Sequence, residues 1–251
     1  MKWFRNILGR VYAVYGIIIF VVTMLIMIFP IWLISFLPDP KKTAVFLNLA
    51  RFWMGFYLPM VFCPVKRKGL HHFKKGQNYV VVVNHNSLLD VPVTSPGVPG
   101  PNKTLAKKEF AKIPLFGILY KIGSVLVDRN DEKSRKDSLE HMKAVLDMGM
   151  HMLLFPEGTR NRTEYPLKSF YNGAFILAIE TQKPIMVGIV FNTRKILTPG
   201  KFFYAIPHAI QFHFLPPIET TGLTLEDLPA LKEKIFVMMW DYYDQHAAQL
   251  A

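Results

Sequence analysis

Two short polar clusters carry the residues of this sequence that are best suited to chemistry. The first is Asn84-His85-Asn86-Ser87-Leu88-Leu89-Asp90, which follows a run of four valines at residues 80–83. His85 and Asp90 are five residues apart, so on a regular helix their side chains would point about 140° apart. They can meet if His85 precedes the first helical turn, and Asp90 would then orient the imidazole as a general base. A hydrogen-bonded histidine with a purely structural role is the alternative for such a short pattern.

The second cluster is Phe155-Pro156-Glu157-Gly158-Thr159-Arg160. Gly158 permits a tight turn with exposed backbone N–H groups, and Arg160 offers a planar fork of donors that suits a phosphate. Glu157 could either hold Arg160 or accept a hydrogen bond from a substrate hydroxyl. An ordinary loop with a surface ion pair would contain the same residue types, so this cluster alone leaves both interpretations open.

A third segment, between the two clusters, adds further charged candidates. Lys107 could supply a second phosphate contact, and we interpret the adjacent Asp128 and Arg129 as a structural ion pair. We predict no metal site, because the histidines are scattered and the adjacent His71 and His72 lie in a basic linker.

The elements that must position these clusters alternate between strands and helices from residue 66 onward. Such alternation predicts an α/β fold, a sheet covered by helices on both faces, and these sheets place active sites at the carboxyl ends of their strands. The predicted strands are residues 79–83, 103–106, 124–127, 151–155, 185–191 and 210–215. The predicted helices are residues 131–148, 173–181 and one that opens at Thr224 with a capping box to Asp227.

The N-terminal quarter of the chain is apolar. Residues 11–37 contain no charge and would extend roughly 40 Å as a helix, enough to cross a hydrocarbon core of about 30 Å. A second apolar run, residues 45–65, is interrupted only by Asn48 and Arg51, and a Pro-Asp-Pro turn separates the two runs. We therefore predict a membrane-associated helical hairpin over residues 1–65 and an α/β domain over residues 66–251.

The distribution of charge favours a membrane position for this hairpin. The net charge is +12, and residues 1–75 hold 11 Lys or Arg and a single acid, Asp39. Basic residues lie at both ends of the hairpin and in its turn, at Lys41 and Lys42, and a hairpin that dips into one leaflet keeps them all on one side. Two full spans, or a core hairpin of a soluble protein, remain alternatives. A nucleic-acid binder is disfavoured, because the positive charge flanks the most apolar segment.

The composition excludes two further classes. Hydrophobic residues make up 51% of the chain and charged residues 19%, which excludes a disordered protein and a collagen-like one. Cys63 is the one cysteine, so an intramolecular disulfide is impossible and a reducing compartment is indicated.

The order and spacing of the clusters resemble those of the lysophosphatidic acid (1-acylglycerol-3-phosphate) acyltransferase family. His85 through Asp90 matches its His-x4-Asp block, Lys107-Lys108-Glu109 through Asp128-Arg129 matches its second block, and Phe155 through Arg160 matches its third block in full. Lys183-Pro184-Ile185 resembles the fourth block. The resemblance covers about residues 66–215. It implies the mostly parallel mixed sheet of glycerolipid acyltransferases, with N-terminal membrane helices and the catalytic domain on the cytoplasmic face of the cytoplasmic membrane.

The activity that the resemblance implies is acyl transfer without an acyl-enzyme intermediate. His85 would deprotonate the free sn-2 hydroxyl of lysophosphatidic acid, and Asp90 would orient His85. The hydroxyl would attack the thioester of acyl-CoA or acyl carrier protein, the co-substrate, to give phosphatidic acid without any cofactor. The partners are then membrane lipids, the lysophospholipid acceptor and the thioester carrier, with no nucleic acid. The residues implied to bind the acceptor are Lys107, Glu157, Gly158, Thr159 and Arg160.

The sequence departs from the family pattern after the third block. Tyr171 stands where the family usually has a lysine, and Lys168 lies three residues earlier. The absence of this lysine weakens the assignment of an acceptor that carries a phosphate. A lyso-ornithine or lyso-glycine lipid is therefore an alternative acceptor. A non-catalytic membrane-binding protein is the alternative from another class, and the intact pair of His85 and Asp90 argues against it.

Overall fold

Seven strands form one sheet in residues 2–249, the part of the chain that the computed structural model describes. The strands are β1 (Val65–Lys68), β2 (Val80–Val83), β3 (Asn102–Lys107), β4 (Ser124–Val127), β5 (His151–Leu154), β6 (Ile185–Phe191) and β7 (Ile210–Phe214). Their order across the sheet is β1-β7-β6-β2-β5-β3-β4. β6 and β7 are antiparallel and all other neighbours are parallel. The predicted α/β fold with a mostly parallel mixed sheet is confirmed.

Helices cover both faces of this sheet. They are α1 (Lys2–Ile34), α2 (Lys41–Met60), α3 (Asp90–Gly97), α4 (Gly117–Gly123), α5 (Glu132–Asp147), α6 (Gly173–Thr181), α7 (Thr193–Ile196) and α8 (Leu228–Ala247). Val80 and Val82 of β2 pack in a core cluster with α5, α6 and α8, whereas Val81 and Val83 pack in a second cluster with α2 and α3. Because successive side chains of a strand alternate between faces, a strand buried on both faces is a continuous apolar run.

Most of the predicted elements agree with the observed ones to within one residue, and β1 is the strand that the pattern does not predict. Its residues, Val65-Lys66-Arg67-Lys68, are mostly basic and mostly exposed. β1 is an edge strand that pairs with β7 alone, so its backbone completes the sheet while its side chains face solvent.

α1 and α2 form the predicted helical hairpin. The Tyr12 hydroxyl donates to the carbonyl of Val61, just beyond the end of α2, and the Trp53 indole donates to the Thr23 hydroxyl at 2.9 Å. The two helices are therefore antiparallel neighbours over much of their length. Trp53 also stacks on Phe20 of α1, with ring centroids 5.4 Å apart.

The side of α2 that faces away from α1 belongs to the core of the α/β part. Arg51, which interrupts the second apolar run, donates to the carbonyls of Pro96, Val98 and Gly100 at the end of α3 and just beyond it. α2 thus packs between α1 and the sheet. The division after residue 65 stays a prediction, and the packing of α2 gives it a direct experimental test.

The turn of the hairpin is attached to the sheet as well. The Asp39 carboxylate pairs with the Lys103 ammonium of β3 at 2.7 Å and accepts a hydrogen bond from the Thr43 hydroxyl at 2.6 Å. Burial alone would raise the pKa of Asp39, but these two hydrogen bonds outweigh it and the pKa lies below its ordinary value. The hairpin therefore lies along one face of the sheet and does not project from it.

α1 exposes much of its apolar surface. Over residues 2–249, one segment, Trp3–Ile34, is long and apolar enough to cross a membrane by length and composition. Val11, Ile18, Ile26 and Phe29 are among the large exposed side chains along it. An exposed apolar surface of this extent on a helix indicates contact with lipid or with another protein.

Candidate active site

The candidate residues lie at one edge of the sheet. β2, β3, β4, β5 and β6 run in the same direction, so their carboxyl ends share an edge. The first cluster follows β2 and the second follows the neighbouring strand β5, while Lys107 ends β3. The sheet topology therefore brings together clusters that are about 70 residues apart in the sequence, at the edge where ligands bind to α/β sheets.

His85 and Asp90 are in direct contact, as the spacing predicts. His85 lies in irregular backbone after β2, and α3 begins at Asp90. The Nδ1 atom of His85 is 2.8 Å from Oδ2 of Asp90. The side chain of His85 is 17% exposed, whereas that of Asp90 is fully buried, so a substrate can reach the imidazole but not the carboxylate.

The Asp90 carboxylate is held by three further hydrogen bonds. Its Oδ2 atom accepts from the backbone N–H groups of Asn86 at 2.6 Å and Ser87 at 2.7 Å, and its Oδ1 atom accepts from the Thr193 hydroxyl at 2.6 Å. A carboxylate can only accept, so Nδ1 of His85 carries the proton in this contact. Nε2 is then the nitrogen with the free lone pair, as a general base requires.

The sequence analysis misses Thr193 as a support of this pair, and it names Phe155 in the second cluster without its contact with His85. Thr193 follows β6, the neighbour of β2 on the other side from β5, and Phe155 stacks on the His85 ring with centroids 4.3 Å apart. Thr193 could have been found from the rule that polar residues after parallel strands meet at one edge. No comparable signal predicts that Phe155 stacks on His85, because an apolar residue at the end of a predicted strand suggests only core packing.

Glu157 connects the two clusters. It is fully buried, and its two carboxylate oxygens accept from the backbone N–H of His85 at 2.7 Å and of Lys168 at 2.9 Å. Burial raises the pKa of Glu157 to about 7, although both backbone hydrogen bonds lower it. Glu157 therefore holds the loop of His85 in place. The expected alternatives, an ion pair with Arg160 or a contact with a substrate hydroxyl, do not fit a carboxylate whose two oxygens already accept backbone donors in a fully buried position.

The interpretation of Asp128 and Arg129 as an ion pair is wrong. Asp128 pairs with Lys108 at 2.5 Å, and the Arg129 guanidinium donates to the carbonyl of Gly158 in the second cluster. The two side chains extend to different partners because Arg129 is long enough to reach across from β4 to the loop after β5. Arg129 thus brings a positive charge to the second cluster.

The other predicted acceptor-binding residues surround the same loop. Gly158 has a φ of +69°, and a Cβ there would lie 2.7 Å from the Tyr171 ring, so this position requires glycine. Arg160 is half-buried, Thr159 is exposed, and Lys107 is exposed at the end of β3. The residue after Arg160, Asn161, donates its backbone N–H to the His85 carbonyl at 2.6 Å, which keeps this loop beside the candidate base.

Comparison with known proteins assigns these clusters to a family. A family model described as acyltransferase matches residues 64–191, which contain His85, Asp90 and the whole second cluster.

The chain belongs to this acyltransferase family.

Its curated relatives carry more specific names. This chain is 36% identical over 161 residues to the 1-acyl-sn-glycerol-3-phosphate acyltransferase of Helicobacter pylori, and the match covers 63% of this chain and 68% of that protein. It is 35% identical over 176 residues to the human 1-acyl-sn-glycerol-3-phosphate acyltransferase alpha, covering 68% of this chain and 60% of the relative. The chain thus matches about 60% of the length of its mammalian relatives.

A solved structure supports the fold over nearly the whole chain. The crystal structure of the 1-acyl-sn-glycerophosphate acyltransferase from Thermotoga maritima superposes with a TM-score of 0.77. The match covers 98% of this chain and 97% of that protein at 21% sequence identity. At this identity the comparison shows a common fold.

The chain also contains a large, mostly apolar cavity next to these clusters. Its volume is about 950 Å³, and the hairpin lines it with side chains such as Phe20, Trp53 and Tyr57. Ser87, beside the candidate base, and Arg160 line the same cavity. The cavity therefore combines apolar walls with a cationic group and a neighbour of the imidazole, which suits a ligand with both an acyl chain and an anionic head group.

Within the part of the chain that the structure describes, no three His, Cys, Asp or Glu side chains are grouped as ligands of a metal ion.

Proposed function

We propose that this chain transfers an acyl group from a thioester to the free sn-2 hydroxyl of lysophosphatidic acid, giving phosphatidic acid. The observation that carries the proposal is the 2.8 Å contact between Nδ1 of His85 and the buried Asp90 carboxylate. This contact fixes the tautomer that a general base needs. It lies beside the apolar cavity whose lining includes Ser87 and Arg160. The names of the curated relatives agree with this reaction.

The reaction proceeds in two proton-coupled steps. Nε2 of His85 accepts the proton of the acceptor hydroxyl, whose oxygen attacks the thioester carbonyl carbon to form a tetrahedral intermediate. The intermediate collapses by breaking the carbon–sulfur bond, and the imidazolium returns its proton to the departing thiolate. Asp90 accepts the hydrogen bond from Nδ1 and stabilises the imidazolium that forms between the two steps. CoA and acyl carrier protein are both compatible thiols.

The acceptor phosphate binds at the loop of the second cluster. Arg160 supplies a planar guanidinium there, and Arg129 adds a second positive charge where it contacts the Gly158 carbonyl. Lys107 at the end of β3 is a further cation at this edge. Thr159, exposed between Gly158 and Arg160, is placed to contact the polar head group.

The hairpin holds the protein at the membrane within one leaflet. Both its turn, through Asp39 and Lys103, and its second helix, through Arg51, are attached to the α/β part. Two perpendicular spans would require the turn to leave the sheet, with the loss of the ion pair of Asp39 with Lys103 and of the hydrogen bonds of Arg51. The exposed apolar surface of α1 then faces lipid, and the basic residues around the hairpin face the anionic lipid of the cytoplasmic side.

A lyso-aminolipid, such as lyso-ornithine or lyso-glycine lipid, is the second candidate acceptor. The observation that favours it is Tyr171, which lies against Gly158 in the head-group loop and is largely exposed. A tyrosine there adds no positive charge for a phosphate, so the acceptor site relies on Arg129 and Arg160.

A panel of acceptors separates the two candidates. The purified full-length chain is incubated with oleoyl-CoA or oleoyl-acyl carrier protein and with lysophosphatidic acid, lyso-ornithine lipid or lyso-glycine lipid. We expect phosphatidic acid to form and the Arg160→Ala variant to raise the KM for lysophosphatidic acid by roughly tenfold to a hundredfold, the loss expected for one charge-assisted phosphate contact. Lys136→Ala, at an exposed ion pair on α5, is the control. Consumption of a lyso-aminolipid while lysophosphatidic acid is ignored would overturn the proposed acceptor.

A further inference from the structure

A second exposed apolar feature lies beside the N-terminal end of α1. Residues 198–205 form two consecutive turns after α7, and Phe202 and Phe203 at their tip are 80% and 49% exposed. The two rings contact each other edge to face with centroids 4.6 Å apart. Two adjacent aromatic side chains left in contact with solvent are uncommon on a loop without a binding role.

This loop is joined directly to α1. The backbone N–H of Ala205 donates to the Gly9 carbonyl at 3.0 Å. The Tyr204 ring occupies the space beside Gly9 so closely that a Cβ there would lie 2.3 Å from it, which makes Gly9 the point of docking. The exposed phenylalanines are therefore continuous with the exposed apolar side chains of α1.

The charge around the loop has one sign. Residues 192–209 contain Arg194, Lys195 and Lys201 and no Asp or Glu, and the part of α1 beside Gly9 adds Arg5 and Arg10. Lys201 lies over the Tyr204 ring, with its Nζ atom 4.1 Å from the ring centroid. Aromatic side chains beside lysines and arginines are the combination that binds the interface of an anionic bilayer.

We infer that residues 198–205 form a second membrane-contact element that inserts Phe202 and Phe203 into the leaflet occupied by the hairpin. The occupant of this surface is an anionic lipid bilayer, because the patch is both apolar and uniformly basic and continues the apolar face of α1. The inference rests on the proposed membrane position of the hairpin and extends it to a loop of the α/β part. Residues 198–205 also line the large cavity, so their insertion would open one wall of it toward lipid.

Site-specific fluorescence in vesicles tests this contact. Phe202→Cys is labelled with an environment-sensitive fluorophore in the full chain, reconstituted in vesicles of phosphatidylcholine and phosphatidylglycerol. The native cysteine, Cys63, is 1% exposed and should not react with the fluorophore. The parent protein, treated with the same fluorophore, checks that labelling is specific to the introduced cysteine. Two further variants are labelled in the same way for comparison. Ile26→Cys places the probe on the exposed face of α1, and Val237→Cys places it on α8, on the other side of the sheet.

We expect the probe at position 202 to be quenched by nitroxide-labelled lipid and protected from iodide, like the probe at position 26 and unlike the probe at position 237. If iodide reaches the probe at position 202 as readily as the probe at position 237, while the probe at position 26 lies in lipid, the loop contact alone is overturned. Iodide access at both 202 and 26 would overturn the membrane position of the hairpin as well. Protection from iodide without quenching by lipid would show that a protein, such as a second copy of the chain, covers the loop, and would also overturn the inference.

A substitution that needs no label provides a second measurement. Phe202→Asp should lower the partition coefficient onto the same vesicles by roughly tenfold or more, the loss expected for one phenylalanine withdrawn from lipid. Val237→Asp adds the same charge on the other side of the sheet and should leave partition unchanged. Equal partition of the two variants would contradict the inference, and neither result depends on turnover.

Discussion

The central residue of the candidate site is an imidazole whose supports come from three strands. Asp90 orients His85 from the start of α3, which follows β2. Glu157 fixes the His85 backbone from the loop after β5, and Thr193 holds Asp90 from the start of α7, which follows β6. A side chain with this many fixed neighbours needs little reorganisation to act as a base. The contribution of each supporting residue to kcat or to the stability of the fold can be measured separately.

Removing the carboxylate of Asp90 should lower kcat far more than it raises KM. Asp90→Asn keeps the size of the side chain, but its amide cannot accept from Nδ1 of His85 and the backbone N–H groups as the carboxylate does. We expect kcat to fall by about 10²–10⁴, the usual contribution of a positioned base. Thr193→Val removes one hydrogen bond to Asp90 and should lower kcat by roughly tenfold. Steady-state kinetics at saturating acceptor measure kcat of both variants. An Asp90→Asn variant with the kcat of the parent would exclude Asp90 from the mechanism.

Glu157 should couple the stability of the fold to pH. Its pKa of about 7 lies above the ordinary value of 4.5, so the folded chain keeps this proton over a range in which the unfolded chain has lost it. The resulting stabilisation is complete below the ordinary pKa and is lost as the pH rises through the folded value. Between about pH 5 and pH 8 the unfolding free energy of the parent should therefore fall relative to that of Glu157→Gln, measured by urea denaturation. The same pH dependence in both proteins would refute the raised pKa.

At the scale of elements, the hairpin and the sheet enclose the large apolar cavity together. Gly16 of α1 lines this cavity, and an ideal Cβ there meets nothing within 4 Å. Gly16→Leu should fit without strain and occupy cavity volume, so we expect kcat/KM to shift toward shorter acyl thioesters. Gly55→Leu on α2 is the matched control, because it also has open space but does not line the cavity. An unchanged chain-length profile in Gly16→Leu would show that the acyl chain binds elsewhere.

The sequence predicts the apolar strands well, including the edge strand β4, and does not predict the exposed edge strand β1. Runs such as residues 124–127 and 185–191 are recognisable because they are buried on both faces, whereas β1 is an exposed edge strand of basic residues. The contact of His85 with Asp90 is predictable because both lie in one short segment. The contacts of Glu157 with the His85 backbone and of Arg129 with Gly158 depend on which strands are neighbours, which no single segment specifies.

At the scale of the whole molecule, α2 connects the membrane hairpin to the α/β part. Deleting residues 1–65 would uncover the sheet face that carries Val81 and Val83, so we expect the remainder not to fold. Deleting residues 1–36 keeps α2 in place and should give a folded protein that is released from vesicles. Circular dichroism during thermal unfolding and vesicle sedimentation measure the two properties. Cooperative unfolding of residues 66–251 alone would instead establish the predicted domain boundary.

The base role of His85 is the claim on which the whole account depends. It is tested most directly by kcat of His85→Ala with lysophosphatidic acid and oleoyl thioester, in a protein whose thermal unfolding and vesicle binding match those of the parent. We predict that kcat falls by about 10²–10⁴ while the KM for lysophosphatidic acid, set by the guanidinium groups, changes little. A variant that retains kcat within about twofold of the parent would contradict general-base catalysis by this imidazole.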